Sequence, residues 1–282
     1  MIARVFITKT SITPTDGYVY IDCEPPFTLQ PDVTEVHISV TFSWDMARAE
    51  QLYRAWSTLG LPINIGGPAF DKPSFDFVPG RYVKDGCTIT SRGCPNHCWF
   101  CAVPRREKGL RELPIQDGWN ILDDNLLACS DDHVEKVFQM LGRQKKAARF
   151  TGGLEAKILK PWHAKRLREI NPERLYCAYD TPDDYDPLVQ AGKMFLDAGF
   201  PNGHSQLCCY NLIGFKGDTF SKAEKRLIQT WDAGFMPYAM LYRDEKGESG
   251  HEWRKFQREW VRPQIIRAKM KGVEAWHGRS LM

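Results

Sequence analysis

The chain has 282 residues, 43% of them hydrophobic and 26% charged, with a formal net charge of +3 at pH 7, a composition that excludes a disordered tail and a disulfide-built miniprotein. At roughly 100–200 residues per domain there is room for one large α/β domain, or for a medium one with a smaller partner. No apolar run nears the ~20 residues needed to cross a bilayer, and residues 1–15 lack the charged-then-apolar layout of a signal peptide, so a cytoplasmic protein with no membrane partner is expected.

In chain order, residues 4–8 and 36–41 are short β-branched runs and 45–59 carries a helical pattern. Ile63-Asn64-Ile65 then reads as a strand that ends in the Gly66-Gly67-Pro68 turn, and 71–86 is a Pro-, Gly- and Asp-rich linker. This predicts a small α/β, Rossmann-like segment over 1–80. Beyond it, candidate strands at 87–91, 119–122, 147–151, 174–179, 206–213 and 236–242 alternate with helical stretches at 133–143, 162–170, 186–198 and 221–233. Two of those helices close through the glycines of Ala198-Gly199-Phe200 and Ala233-Gly234-Phe235. Such alternation predicts a mostly parallel sheet, and right-handed crossovers would curl six units into a partial (βα)6 barrel over 81–245. Functional residues are then expected on loops after the strand carboxyl ends. Residues 246–282 form a helical extension.

Nine cysteines are many for a reducing compartment, and an odd number, so metal or redox use is the leading question. Cys23, Cys87, Cys129 and Cys177 stand singly among apolar residues, and Cys208 and Cys209 are adjacent. Cys94, Cys98 and Cys101 cluster in Ser91-Arg92-Gly93-Cys94-Pro95-Asn96-His97-Cys98-Trp99-Phe100-Cys101. Gly93 and Pro95 favour a loop that wraps three thiolates around one inorganic centre. A helix would instead lay the three along one face as a buried stripe. Zinc would want a fourth ligand, His97 or Cys87, and neither stands at the usual separation. Three thiolates can hold three corners of a four-iron cubane and leave one iron open.

The Cys-x3-Cys-x2-Cys loop, with Phe100 before its last cysteine and placed directly after the first strand of a strand–helix series, resembles the radical S-adenosylmethionine (SAM) superfamily. The resemblance covers residues 85–245. It implies a [4Fe-4S] cluster on Cys94, Cys98 and Cys101, with Phe100 beside it. It implies reductive cleavage of SAM to methionine and a 5′-deoxyadenosyl radical that takes a hydrogen atom from a substrate, and an electron donor such as flavodoxin or ferredoxin.

Other segments resemble the family's SAM-holding positions. Trp119-Asn120-Ile121-Leu122-Asp123-Asp124-Asn125 looks like the strand end of methylthiotransferase-like and cobalamin-linked members, which would turn Asp124 and Asn125 to the cofactor. In Thr151-Gly152-Gly153-Leu154-Glu155, Gly152 and Gly153 would admit SAM while Glu155 meets an ammonium or a substrate, although the family's Gly-Gly-Glu usually sits one strand earlier. Asp180 would bond a ribose hydroxyl, or else cap the following helix. Residues 211–219 resemble the segment that packs under the adenine, which would place Ile213 and Gly214 there.

Residues 1–80 look like parts of a cobalamin-binding domain, but the chain has no Asp-x-His-x-x-Gly string and His37 sits inside a strand-like run, so cobalamin is not expected. Nine Lys or Arg residues between Arg143 and Arg168 face Glu155 alone. They suit a phosphate-bearing partner or a solvated helix face, and leave the substrate as a small molecule, a nucleotide or a nucleic acid. The tail from Trp253 to Trp276 interleaves aromatic and basic residues, which fits an amphipathic helix closing the barrel or a stacking platform for bases. His133, His163, His204, His251 and His277 have no partner spacing, and neither a P-loop nor a Gly-x-Ser-x-Gly elbow is present. The competing functions are an iron–sulfur electron-transfer or structural protein, and a nucleic-acid methyl or methylthio transferase. The transferase would need additional machinery, for which Cys208 and Cys209 are the candidate pair.

Overall fold

The computed structural model describes residues 1–71, 77–201 and 206–279, with the backbone alone over 272–279. His204 and the side chains of Trp276 and His277 lie outside the described residues. The chain separates into two compact units, Met1–Met140 with Glu245–Gly247, and Leu141–Asp244 with Glu248–Met282.

In the first unit, β1 (Ile2–Phe6), β2 (Val19–Ile21), β3 (Glu35–Ser39), α1 (Met46–Ser57) and β4 (Ile63–Gly66) make a four-stranded parallel sheet in the order β2-β1-β3-β4. Ala49, Leu52 and Trp56 of α1 share a core with Ala3, Val5, Val36 and Ile38. Those strand residues alternate with Arg4 and His37, as the period of two demands, so the other face of the sheet carries polar groups. Arg4 donates to the carbonyls of Gly80 and Arg81, both at 2.9 Å, and the Lys84 amide donates to Ile12 O at 2.8 Å. The division expected near residue 80 therefore falls inside this unit, with 80–84 tied back to the first strands.

β5 (Cys87–Thr88), β6 (Ser91–Arg92), α2 (Val103–Arg106), β7 (Arg111–Glu112) and β8 (Asn120–Ile121) follow. β5 pairs with β8 in parallel, and β6 pairs with β7 antiparallel. α3 (Asp131–Gly142) starts where Ser130 Oγ accepts the His133 amide at 3.2 Å, with Asp131 and Asp132 in its first turn complementing the helix dipole.

The second unit runs β9 (Arg149–Phe150), α4 (Pro161–Ile170), β10 (Arg174–Ala178), α5 (Tyr185–Asp197), β11 (Leu207–Ile213), α6 (Phe220–Asp232) and β12 (Met236–Leu241), then α7 (His251–Glu259) and α8 (Pro263–Arg279). Its strands pair in parallel as β9-β10-β11-β12. Ile213, Ala223, Leu227 and Met236 form a core with Trp260, Ile266 and Met270 from the tail. The chain is thus a mixed α/β protein with parallel sheets. No described helix is long and apolar enough to cross a membrane.

Candidate metal centre

The cysteine loop starts from two buried residues of β5, whose register sets Cys87 beside Asn120 and Thr88 beside Ile121. After β6 the chain enters the loop through Gly93, at φ 87°, where an added Cβ would lie 2.0 Å from the Gly109 carbonyl oxygen. Only glycine fits so close a crossing of two backbones. No helix forms between Gly93 and Ala102, so the three cysteines lie on a loop and not along a helical stripe. The Cys101 amide donates to Cys98 O at 3.0 Å and curls the loop's end toward α2.

Two of the sulfurs collect N–H donors. The Asn96 amide reaches Cys94 Sγ at 3.4 Å, Asn125 Nδ2 reaches the same sulfur at 3.3 Å, and the Val103 amide reaches Cys101 Sγ at 3.4 Å. Burial pushes the Cys101 thiol up, and the Val103 N–H opposes that by favouring the thiolate. Cys98 is exposed, as is the Trp99 ring, which packs edge-on against Phe100.

Asp123, Asp124 and Asn125, just beyond β8, hold this loop. Asp123, only 1% exposed, accepts from the Thr90 amide at 2.6 Å, the Thr90 hydroxyl at 2.6 Å and the Ser91 hydroxyl at 2.8 Å. Burial pushes its carboxyl up against these three bonds. Asp124 accepts the Gly93 amide at 2.9 Å and pairs with Arg106 Nη2 at 2.9 Å. Around it lie Arg92, whose guanidinium burial pulls down, and the buried Glu107, 3.6 Å from Arg106 and 3.7 Å from Arg111. Thr90 and Arg106 carried no signal in the sequence, since their roles depend on a strand end from a distant part of the chain, and Asp123 stood out only as a member of that strand end.

A sulfur-ligated iron centre fits these residues in two respects: the donor set is three thiols on one loop, and amide donors already point at two of them, as hydrogen bonds to cluster sulfurs require. Among the described residues no three His, Cys, Asp or Glu side chains are gathered round one point. Cys94 lies near enough to Cys101 for its charge to help push that thiol up. Cys87, considered as a fourth zinc ligand, sits fully buried in its strand and accepts Asn120 Nδ2 at 3.6 Å. In the first sheet, His37 engages Tyr82 Oη through Nδ1, while Nε2 lies 3.1 Å from Glu35 and 3.2 Å from Asn64.

The remaining predicted positions belong to the second unit. Gly152 and Gly153 follow β9 in a turn, with Gly153 at φ 99°, and Glu155 precedes a short 3-10 turn. Asp180 follows β10 and accepts the Leu212 amide at 2.7 Å, while burial pushes its carboxyl up to about 6. The helix cap beside it is Thr181, which bonds Asp184 through both its amide and its hydroxyl. Ile213 is fully buried in the core. At Gly214, φ 75°, an added Cβ would meet the Trp253 ring at 3.0 Å, so the flat ring this glycine admits here is an indole from α7. Its amide donates to Asp218, itself paired with Arg226 at 2.9 Å.

Within the basic stretch, Arg149 pairs with Glu173, Lys157 with Asp184 and Arg166 with Glu169, so part of its charge is met locally. In the tail, Trp253 packs on Phe220 and Phe256 and Trp260 is fully buried, which makes these aromatics packing residues. Comparison of the chain with protein-family models and with curated proteins finds no match.

Proposed function

We propose that the chain is a radical SAM enzyme with a [4Fe-4S] cluster on Cys94, Cys98 and Cys101, and that residues 81–245 build the partial (βα)6 barrel that the sequence resemblance implies. The observation that carries this reading is the cysteine loop itself. It comes after parallel strand β5 and the short β6, is free of helix, and has N–H donors on Cys94 and Cys101. Bound there, such a cluster supplies the electron that splits SAM into methionine and a 5′-deoxyadenosyl radical for hydrogen abstraction. The chain's own part is to hold the three thiolates and to position the loop through Asp123 and Asp124. Asp180, with its carboxyl pushed up to about 6, would offer a group able to hold or release a proton near neutral pH.

Cys208 and Cys209, the pair a methyl-carrying route would use, are buried in β11 with both thiols pushed up. This favours hydrogen abstraction followed by rearrangement, elimination or coupling over methyl transfer. A flavodoxin- or ferredoxin-like donor in a reducing compartment such as the cytoplasm would supply the electron.

The test is anaerobic reconstitution with iron and sulfide, addition of SAM and dithionite, and assay of 5′-deoxyadenosine and methionine beside a Cys98→Ala control. Product from the wild type alone is the expected result. An intact cluster that never cleaves SAM across a panel of substrates overturns the enzyme reading in favour of electron transfer. Zinc in place of iron overturns the cluster.

A further inference from the structure

We propose that Asp123, Asp124 and Asn125 form a clamp on the cysteine loop, in which Asp124 is a positioning residue that governs cluster retention and Asn125 sets the cluster's reduction potential through Cys94. This inference rests on the cluster reading above and gives the tripeptide a task different from facing SAM.

The three residues are consecutive, and their side chains meet consecutive stretches of the segment leading into the loop. Asp123 holds Thr90 and Ser91, Asp124 holds the Gly93 amide, and Asn125 Nδ2 ends 3.3 Å from Cys94 Sγ. The clamp is buried, with Asp123 at 1% and Asn125 at 4% exposure. Water is therefore poorly placed to replace a bond that is lost. Arg106 completes it from α2, just beyond the last cysteine, by pairing with Asp124 at 2.9 Å. One carboxylate thus anchors both ends of the loop, Gly93 before Cys94 and Arg106 after Cys101. Each iron-bound sulfur gains negative charge when the cluster takes up an electron, so an N–H donor on it stabilises the reduced form.

The first measurement is a redox titration of the reconstituted protein, read by the electron paramagnetic resonance of the reduced cluster. Dithionite supplies the one electron each cluster accepts, and no protein bond is made or broken. Asn125→Leu keeps the side-chain size and removes the donor. It is expected to bind iron and sulfide at the wild-type ratio and to have a more negative potential, by about tenfold in the reduced-to-oxidised ratio at fixed poise, or about 59 mV for one electron. Asn125→Asp, which sets an acceptor where the donor was, is expected to shift further in the same direction and serves if the leucine variant does not fold. Asp124→Asn weakens the anchor and is expected to release iron to a chelator about tenfold faster with little change in potential. In the metal-free protein it should speed amide hydrogen exchange over 90–101, a readout that needs no cluster.

Unchanged potentials in both Asn125 variants overturn the tuning role, and so does weaker SAM binding at an unmoved potential, which returns Asn125 to the cofactor. Unchanged iron release and exchange in Asp124→Asn overturn the anchor. If the wild type takes up no iron, the cluster reading itself fails and this inference falls with it, whereas a sound wild-type cluster with indifferent variants sinks this inference alone.

Discussion

Three cysteines of this chain sit on a loop and three sit in the adjacent strands β10 and β11, and the two groups show how little the residue type decides without its backbone. Cys177 and Cys209 are register partners on β10 and β11, fully buried, and Cys208 lies beside them. In those strands the amides are committed to the ladder, so none is left to reach a sulfur. Burial dominates there and pushes Cys177 up to about 12 and Cys208 to about 11, the latter against the Arg174 charge and a hydrogen bond from Tyr176. In the loop the amides of Asn96 and Val103 belong to no ladder and turn to Cys94 and Cys101. Sulfurs with amide donors and access suit metal ligation, while the buried sulfurs of β10 and β11, which no backbone amide reaches, behave as small core residues.

Labelling should draw that contrast most sharply. At a thiol pushed up to about 12, the reactive thiolate is about a thousandfold scarcer than at an ordinary cysteine. Iodoacetamide on the native, metal-free chain is therefore expected to modify Cys98 first and to leave Cys177 and Cys209 intact until denaturant is added, as read by peptide mass spectrometry. Early labelling of Cys209 would erase the distinction.

Mutations of the supports come next. Leu227→Ala, in the fully buried core that flanks the strand cysteines, should lower the stability of the second unit by about 3 kcal/mol in a urea titration. Asp123→Ala leaves the Thr90 amide without its acceptor and should cost about 2 to 3 kcal/mol. Tryptophan fluorescence with site-resolved exchange would show whether that loss stays in the first unit. A loss shared by both units would mean that the loop's polar support and the apolar core do not act separately.

Asp180 gives a pH-dependent case. Its folded value of about 6 exceeds the ordinary 3.8. Its contribution to stability is therefore full below about pH 4 and is lost as pH rises through 6. Asp180→Asn does not lose it, so the variant should gain on the wild type by about 2 kcal/mol between pH 4 and pH 8, the half-buried position being allowed for. A gap that is flat with pH would contradict the burial argument. The smallest effect is expected from Thr219→Ala, which removes the cap that accepts the Lys222 amide at the start of α6 and should cost about 1 kcal/mol.

Much of the fold is legible from local pattern. Helices α1 and α3 to α6 begin and end within about two residues of the periodic stretches, because caps, prolines and closing glycines act over a single turn. Strands β10, β11 and β12 stand out as apolar runs of five to seven residues. Short β2 was missed because three half-buried residues carry no alternation, and β6 with β7 because Ser91-Arg92 and Arg111-Glu112 are polar and pair only across a loop. In the candidate centre the three cysteines announced themselves by spacing. The Asp124 and Asn125 bonds to Gly93 and Cys94 span 31 residues and could not be read from either end.

The sequence by itself determined that this is an α/β chain, where most of its helices and longer strands lie, and which cysteines stand together, since these depend on residues within a few positions of one another. Tertiary structure alone decided which sulfurs receive N–H donors, that Trp253 fills the space Gly214 leaves, and that a strand-end carboxylate grips the entrance to the cysteine loop. Those outcomes are hydrogen bonds and contacts between distant segments, and their geometry exists only once the strands have paired.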